Sequence, residues 1–82
     1  MADVKIRIFR QGESQPKTTI TIPGSVLNVA SKLIPKKAFT ALQEEGIDID
    51  ELIKLSKNPD VRGTLVEIEE HQKNEKIIIS LE

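Results

Sequence analysis

Three acidic side chains, Asp48, Asp50 and Glu51, form the densest group of residues that could bind a metal ion. A calcium-binding loop needs further oxygen ligands and a glycine at fixed spacing, and this segment lacks them. Asp48 followed three residues later by Glu51 instead has the pattern of an acidic capping box at the start of a helix. We therefore predict that the cluster caps a helix and binds no metal.

The other residues with catalytic chemistry stand alone. His71 is the only histidine, whereas a catalytic histidine needs an orienting partner and usually a nucleophile, and a metal site needs several ligands. Glu67 and Glu69 lie on the same side of a predicted strand and resemble the carboxylate pair of a glycosidase. Such a pair must flank the scissile bond across a cleft, so an outward polar face is the better interpretation. No serine lies in a nucleophile elbow, and the glycines are isolated. The sequence therefore predicts no enzyme activity and no cofactor.

Lys5, Arg7 and Phe9 share one face of the first predicted strand, because side chains alternate along a strand. Basic residues beside an aromatic ring can bind single-stranded nucleic acid by charge and stacking. Sheets that bind RNA usually stack two or three bases on aromatic rings, and only one ring is present here. We favour a solvated face, or one covered by a partner, over a nucleic-acid surface.

Lys32, Lys36 and Lys37 lie in or just after a predicted helix from Val26 to Ile34. Lysines beside an apolar helix face can attract an anionic membrane surface, at roughly 1 kcal/mol each. The same apolar face is needed for the core of a domain this small. We therefore place this face in the core and keep peripheral membrane contact as an alternative.

Composition sets limits on the class of protein. With 82 residues the chain fits a single domain spanning 1–82, and a net charge of −1 argues against binding nucleic acid mainly by phosphate neutralisation. There are no cysteines, so disulfides and thiolate sites are excluded. No signal peptide and no transmembrane segment are predicted, which favours a cytoplasmic location. Leu81 and Glu82 fit either native sequence or a remnant of a cloning vector.

The hydrophobic pattern predicts an α+β fold with a hairpin at each end and two to three short helices between them. The first and last strands are the richest in aliphatic residues, so we expect them to be central, side by side and parallel. This arrangement is a four-stranded mixed sheet with helices on one face and a β-grasp-like topology. The edge strands, Thr18–Ile22 and Thr64–Glu69, would then offer backbone to a partner strand. The predicted strands are Val4–Arg10, Lys17–Ile22, Thr64–Glu69 and Lys76–Leu81; the helices are Val26–Ile34, one ending at Gly46, and one beginning at Asp48.

Several segments together resemble a small domain of Gram-positive bacteria whose function is unknown. They are Val4–Ile8, Leu33–Lys37, Glu45–Leu52, Gly63–Glu69 and the isoleucine-rich last strand. The resemblance implies a domain that commonly follows a short SHOCT-like helical segment, with some relatives in envelope stress responses. It supplies no catalytic residues.

Two functions follow as predictions. The first is a non-enzymatic protein-interaction or oligomerisation module, because the fold is well specified and no catalytic constellation is visible. The second is a peripheral regulatory domain that binds an anionic membrane surface or nucleic acid. The second function would use five basic residues: Lys5, Arg7, Lys32, Lys36 and Lys37.

Overall fold

The computed structural model describes all residues, 1–82, and shows an α+β fold with a hairpin, a helical segment and a second hairpin in chain order. The structure contains no helix that could span a lipid bilayer. The strands are β1 (Asp3–Arg10), β2 (Thr18–Pro23), β3 (Gly63–Glu70) and β4 (Glu75–Leu81). The helices are α1 (Leu27–Ala30), between short 3-10 turns at Gly24–Val26 and Ser31–Leu33, then α2 (Lys36–Glu44) and α3 (Ile49–Lys57).

The four strands form one sheet in the order β2-β1-β4-β3. The prediction that β1 and β4 are central and that β2 and β3 form the edges is confirmed. The predicted direction of the central pair was wrong, because β1 and β4 are antiparallel, with Val4 opposite Leu81 and Arg10 opposite Glu75. All three strand pairs are antiparallel. The sheet is therefore not mixed, and the β-grasp topology does not apply.

The helical segment explains the antiparallel centre, because it returns to the end of the sheet from which it leaves. Ser56, near the end of α3, accepts a hydrogen bond of 2.9 Å from the backbone N–H of Ala2. A Cβ atom added to Gly24, where the segment begins, would lie 2.4 Å from the Ala2 carbonyl oxygen and 3.2 Å from Ser56 Oγ. Lys37, at the start of α2, forms an ion pair with Glu70 at the opposite end of β3. The chain thus runs out along the sheet and back, so β3 starts at the same end of the sheet as β2 finishes, on the opposite edge.

The helices pack on one face of the sheet, as predicted. Ile6 and Ile79 are fully buried beneath Leu27, Leu42 and Leu52. Complete burial of an aliphatic side chain contributes roughly 1.5–3 kcal/mol, so this layer is the main source of stability. The core consists of fourteen buried apolar residues: Ala2, Val4, Ile6, Ile22, Leu27, Ile34, Ala38, Ala41, Leu42, Leu52, Val66, Ile77, Ile79 and Leu81.

The boundary between α2 and α3 follows the predicted chemistry. Gly46 adopts a left-handed conformation with φ +77° and ends α2. Asp48 caps α3, since its Oδ1 accepts a 2.8 Å hydrogen bond from the backbone N–H of Glu51. The Glu51 side chain makes no reciprocal bond in the structure, so only half of the predicted capping box forms.

The segment before α2 differs from the prediction of one helix. Ser25 makes no capping hydrogen bond, and the segment divides into α1 and two 3-10 turns. The tighter turn of a 3-10 helix rotates successive side chains differently from an α-helix. The predicted burial of this helix's apolar face is only partly right, because Leu27 and Ile34 are buried but Val26 and Leu33 are exposed.

Candidate functional site

The two edge strands of the sheet, β2 and β3, carry backbone groups that a partner strand could recognise. The hydrogen bonds between the central strands, β1 and β4, determine which backbone groups of the edge strands point outward. Gln11 donates to the carbonyl of Asn74 and Glu82 donates to the carbonyl of Asp3, each at 2.9 Å. These bonds continue the β1–β4 ladder, so the odd-numbered residues of β1 hydrogen bond with the even-numbered residues of β4. Alternation then directs the even residues of β1 toward β2 and the odd residues of β4 toward β3.

The β2 edge leaves the backbone of Thr19 and Thr21 unpaired. Ile8 carbonyl oxygen accepts a 2.8 Å bond from the N–H of Lys17, which confirms that the even residues of β1 face β2. Their partners on β2 are the even residues, such as Ile20 opposite Ile6. The N–H and C=O groups of Thr19 and Thr21 therefore point away from the sheet. No hydrogen bond from outside the ladder reaches Thr18–Ile22, and both threonines are exposed.

The β3 edge leaves the backbone of Glu67 and Glu69 unpaired. Ile77 and Ile79 of β4 face β3, where Ile77 pairs with Ile68. The intervening odd residues of β3, Glu67 and Glu69, therefore direct their N–H and C=O groups into water. Both free positions on this edge thus carry a carboxylate.

The β3 edge is further interrupted near its start. The register shifts between Thr64 and Val66, which places a bulge or equivalent irregularity in the strand. Glu67 also forms a 2.9 Å ion pair with Lys76, and this contact raises the pKa of the lysine. Charged side chains and bulges both oppose pairing with another strand. The β2 edge has no charged residue and a regular register, and its only protecting feature is Pro23 at the end of the strand.

Lys5, Arg7 and Phe9 lie on the open face of the sheet, as predicted. Arg7 stands between Thr19 on β2 and Ile78 on β4, and all three predicted residues are half-buried. Phe9 lines a shallow groove of about 340 Å³ at the tip of the first hairpin. A single ring beside a groove this open provides no stacking platform for several bases.

Arg7 is neutralised by a carboxylate that the sequence pattern did not pair with it. Arg7 Nη2 lies 3.0 Å from Glu82 Oε1, and Ser80 Oγ donates a 2.7 Å hydrogen bond to Glu82 Oε2. The hydrogen bonds from Arg7 and Ser80 lower the pKa of Glu82 to about 2. Arg7 and Glu82 are 75 positions apart in the sequence, which explains why no local pattern signals this pair.

The other predicted basic residues lie in the helical layer, away from Lys5 and Arg7. Lys32 is exposed in the second 3-10 turn, and Lys36 and Lys37 are exposed in the first turn of α2. The contact with Lys37 lowers the pKa of Glu70. An open groove of about 620 Å³ between α2 and β3 contains both acids and bases: Lys36, Lys37, Glu44, Glu70 and Lys73. The structure therefore does not gather the five basic residues into one anion-binding surface.

An exposed apolar group was missed by the sequence analysis. Val26, Val29 and Leu33 are 41%, 74% and 60% exposed, respectively. Their spacing also fits a buried helix face, so periodicity alone could not reveal their exposure. Lys32 and Lys36 are neighbours of this group in the chain.

The residues considered for metal or catalytic chemistry are dispersed. Asp48 is occupied as a helix cap, and no group of three or more His, Cys, Asp or Glu side chains is placed to hold a metal ion. His71 is exposed in the second hairpin turn, 3.9 Å from Glu69. Glu67 and Glu69 point to the open face of the sheet, beside Lys76.

Together, the hairpin–helix–hairpin order and open antiparallel sheet define a small α+β domain whose accessible features are sheet edges. The chain matches the family model described as "YvlB-like protein, C-terminal domain" over residues 4–80. It therefore belongs to this small bacterial domain family. No curated protein and no solved structure matches the chain.

Proposed function

We propose that this domain is a non-enzymatic interaction module that binds a protein by adding a partner strand to the β2 edge. The observation that carries the proposal is the pair of free backbone positions at Thr19 and Thr21, in a strand without charges or a bulge. Proteins normally protect an edge of this kind, since it is a template for another strand. The β2 edge is blocked only at its last residue, Pro23, whereas both free positions of β3 carry a carboxylate, and this contrast supports a role in binding for Thr19 and Thr21.

The energetic support comes from the main chain. The two threonines offer two N–H and two C=O groups, and each hydrogen bond has a net value of roughly 0.5–1.5 kcal/mol. Ile20, between them, is half-buried at the rim of the core and offers apolar contact. Main-chain bonds supply affinity in strand addition, and alternate side chains supply specificity.

Site-specific photocrosslinking in the native bacterium tests the proposal at both edges. A photoreactive benzoylphenylalanine is placed at Thr19 in one variant and, as the matched control, at Glu67 in another. We expect discrete protein adducts from Thr19 and few or none from Glu67, because the two positions are equivalent on opposite edges. Absence of adducts from Thr19, or equal yields from both positions, would contradict binding at the β2 edge.

A second candidate function is supported by the exposed apolar group. Val26, Val29 and Leu33 could enter the interface of an anionic membrane while Lys32 and Lys36 contact its headgroups. Each lysine contributes roughly 1 kcal/mol near such a surface, so binding would be weak and salt-sensitive. The nucleic-acid alternative has less support, because Arg7 is paired with Glu82.

Vesicle sedimentation distinguishes this candidate from the first. Binding to vesicles rich in phosphatidylglycerol should exceed binding to phosphatidylcholine vesicles, and a V29S/L33S variant should lose it. Lys5→Ser, on the open face of the sheet, is the control that should retain binding. No binding at low salt would remove this candidate without affecting the proposal for the β2 edge.

We also propose a cytoplasmic location. The resemblance in sequence supports a context in proteins with a preceding SHOCT-like segment and, for some relatives, in envelope stress responses. Protein levels measured before and after treatment with a cell-wall antibiotic test the last point. We expect an increase, and unchanged levels would argue against the stress connection.

A further inference from the structure

We infer that the β2 edge accepts a second copy of this chain, in an antiparallel pairing with Ile20 on the two-fold axis. The inference rests on the proposed function and specifies its partner. The resulting dimer would contain one continuous sheet of eight strands, with the two β2 strands at its centre.

The backbone groups of the edge restrict how two copies can pair. Only Thr19 and Thr21 have outward N–H and C=O groups in the middle of β2. In a two-fold antiparallel pair, Thr19 therefore lies opposite Thr19, Thr21 opposite Thr21, or Thr19 opposite Thr21. A parallel pair of copies would lack the two-fold symmetry that most homodimers have.

Neighbouring residues exclude two of these three registers. With Thr21 opposite Thr21, each Thr19 would require an N–H group from Pro23, which has none. With Thr19 opposite Thr19, each Thr21 would require the N–H of Lys17, which already donates to Ile8. With Thr19 opposite Thr21, the free groups of both copies pair completely with one another. This register places Ile20 opposite Ile20.

The side chains agree with this register. The threonines of the two copies face each other on the open face, where no like charges meet, and threonine pairs are favourable across strands. The two Ile20 side chains meet on the helical face, at the rim of each core. On β1, Arg7 lies opposite Thr19 and is paired with Glu82, and Lys5 lies opposite Thr21. Both basic residues are one strand away from the axis, so the two β2 strands that meet there bring no charged residues of their own together.

The other edge explains why the assembly would stop at two copies. After pairing through β2, the dimer presents only its two β3 edges, and both free positions of β3 carry glutamate. Further strand addition would bring glutamates from two copies together across a strand pair, which is unfavourable. The chain thus has one edge suited to self-pairing and one edge that opposes it.

Disulfide trapping tests the register. The chain has no cysteine, so Ile20→Cys introduces a single thiol, and Ile68→Cys introduces one at a half-buried isoleucine on the other edge strand as the matched control. Residues opposite each other in a non-hydrogen-bonded pair are about 4.5 Å apart between Cα atoms, which suits a disulfide. Under mild oxidation, I20C should shift to twice the 9.2 kDa chain mass, and I68C should not.

The results of disulfide trapping and sedimentation distinguish failure of self-pairing from failure of the proposed function. If I20C stays monomeric when oxidised and the unsubstituted chain sediments as a monomer at millimolar concentration, the second copy is ruled out. The proposed function then still stands if Thr19 crosslinks to a different protein in cells. The sedimentation measurement also covers the case in which I20C fails to fold. Efficient trapping of both I20C and I68C would contradict the register, because it would indicate random collision.

Discussion

The β2 and β3 edges end the same sheet but differ at the positions that a partner strand would meet. Both strands alternate apolar and polar residues and both are hydrogen bonded on one side only. The free backbone positions carry Thr19 and Thr21 on β2, and Glu67 and Glu69 on β3. Charge thus protects β3 at both free positions, whereas β2 is blocked only at Pro23 and is open at Thr19 and Thr21. This difference between β2 and β3 is the basis for proposing that the domain binds a partner through β2.

One glycine lies next to each edge strand, and substituting these glycines should give the largest changes in the free energy of unfolding. Gly24 follows β2, and a Cβ there would meet the Ala2 carbonyl oxygen at 2.4 Å, whereas Gly63 begins β3 with φ +100° and open space around it. We expect Gly24→Ala to lower the free energy of unfolding by about 1–3 kcal/mol through overpacking. We expect Gly63→Ala to cost about 1–2 kcal/mol through backbone strain.

Urea denaturation of the two variants measures these costs. Gly63→Asn serves as the control, because asparagine tolerates positive φ better than alanine and should cost less than Gly63→Ala. If Gly24→Ala were as stable as the unsubstituted chain, the close junction of Ala2, Gly24 and α3 would be wrong.

Placing glutamates on the open edge should weaken self-association. In a T19E/T21E variant, two glutamate pairs would face each other across the axis, at roughly 0.2–1 kcal/mol each. We expect the dimer to weaken on the order of tenfold, as measured by sedimentation equilibrium. T19S/T21S is the control that should still associate. Equal association of the glutamate and serine variants would mean that the β2 edge is not the contact.

Removing the glutamates from the protected edge should have the opposite but smaller effect. An E67T/E69T variant gives β3 the residues that β2 has, although the irregularity between Thr64 and Val66 remains. We expect species larger than a dimer in light scattering, because both edges would then accept a strand. If the variant stayed dimeric, the register irregularity rather than the carboxylates would be the protecting feature.

Much of this architecture could be predicted from local sequence. Alternation correctly grouped Lys5, Arg7 and Phe9, and helix-boundary chemistry correctly identified Gly46 and Asp48. Both depend on neighbouring residues only. The order of the strands was also accessible, because β1 and β4 carry the most aliphatic residues.

The remainder depended on tertiary structure. The direction of β4 relative to β1 depends on where the helical segment returns, and this is decided by contacts between Gly24, Ala2 and Ser56. The exposure of Val26 and Leu33 depends on 3-10 turns that helical periodicity does not distinguish. The residues whose backbone groups are free on each edge could be identified only from the hydrogen bonds between β1 and β4, which the sequence does not reveal. Sequence therefore predicted which strands are edges, but not which edge is open.

Acid should weaken the Arg7–Glu82 ion pair, and we expect this to change stability less than any of the substitutions above. Arg7 and Ser80 lower the pKa of Glu82 to about 2, below the ordinary 4.5. A carboxylate with a lowered pKa in the folded state stabilises the fold above its ordinary pKa, and this contribution is lost as the pH falls from about 4.5 to about 2. Glu82→Gln should therefore reduce the pH dependence of unfolding within that interval.

Thermal unfolding between pH 2 and pH 6 measures this change. Glu70→Gln is the matched variant near the β3 edge, since Lys37 lowers the pKa of Glu70. Both variants should flatten the profile in acid. A Glu82→Gln profile that parallels the unsubstituted chain would contradict the role of the Arg7–Glu82 pair.

Residue-resolved amide hydrogen exchange of the unsubstituted chain tests the difference between the edges most directly. Spectra are recorded at increasing protein concentration, and exchange is compared for Thr19 and Thr21 on β2 and for Glu67 and Glu69 on β3. We predict that exchange of the two threonine amides slows as concentration rises while the two glutamate amides remain fast. Equal behaviour of all four amides across the concentration range would contradict an open β2 edge that pairs with a second copy.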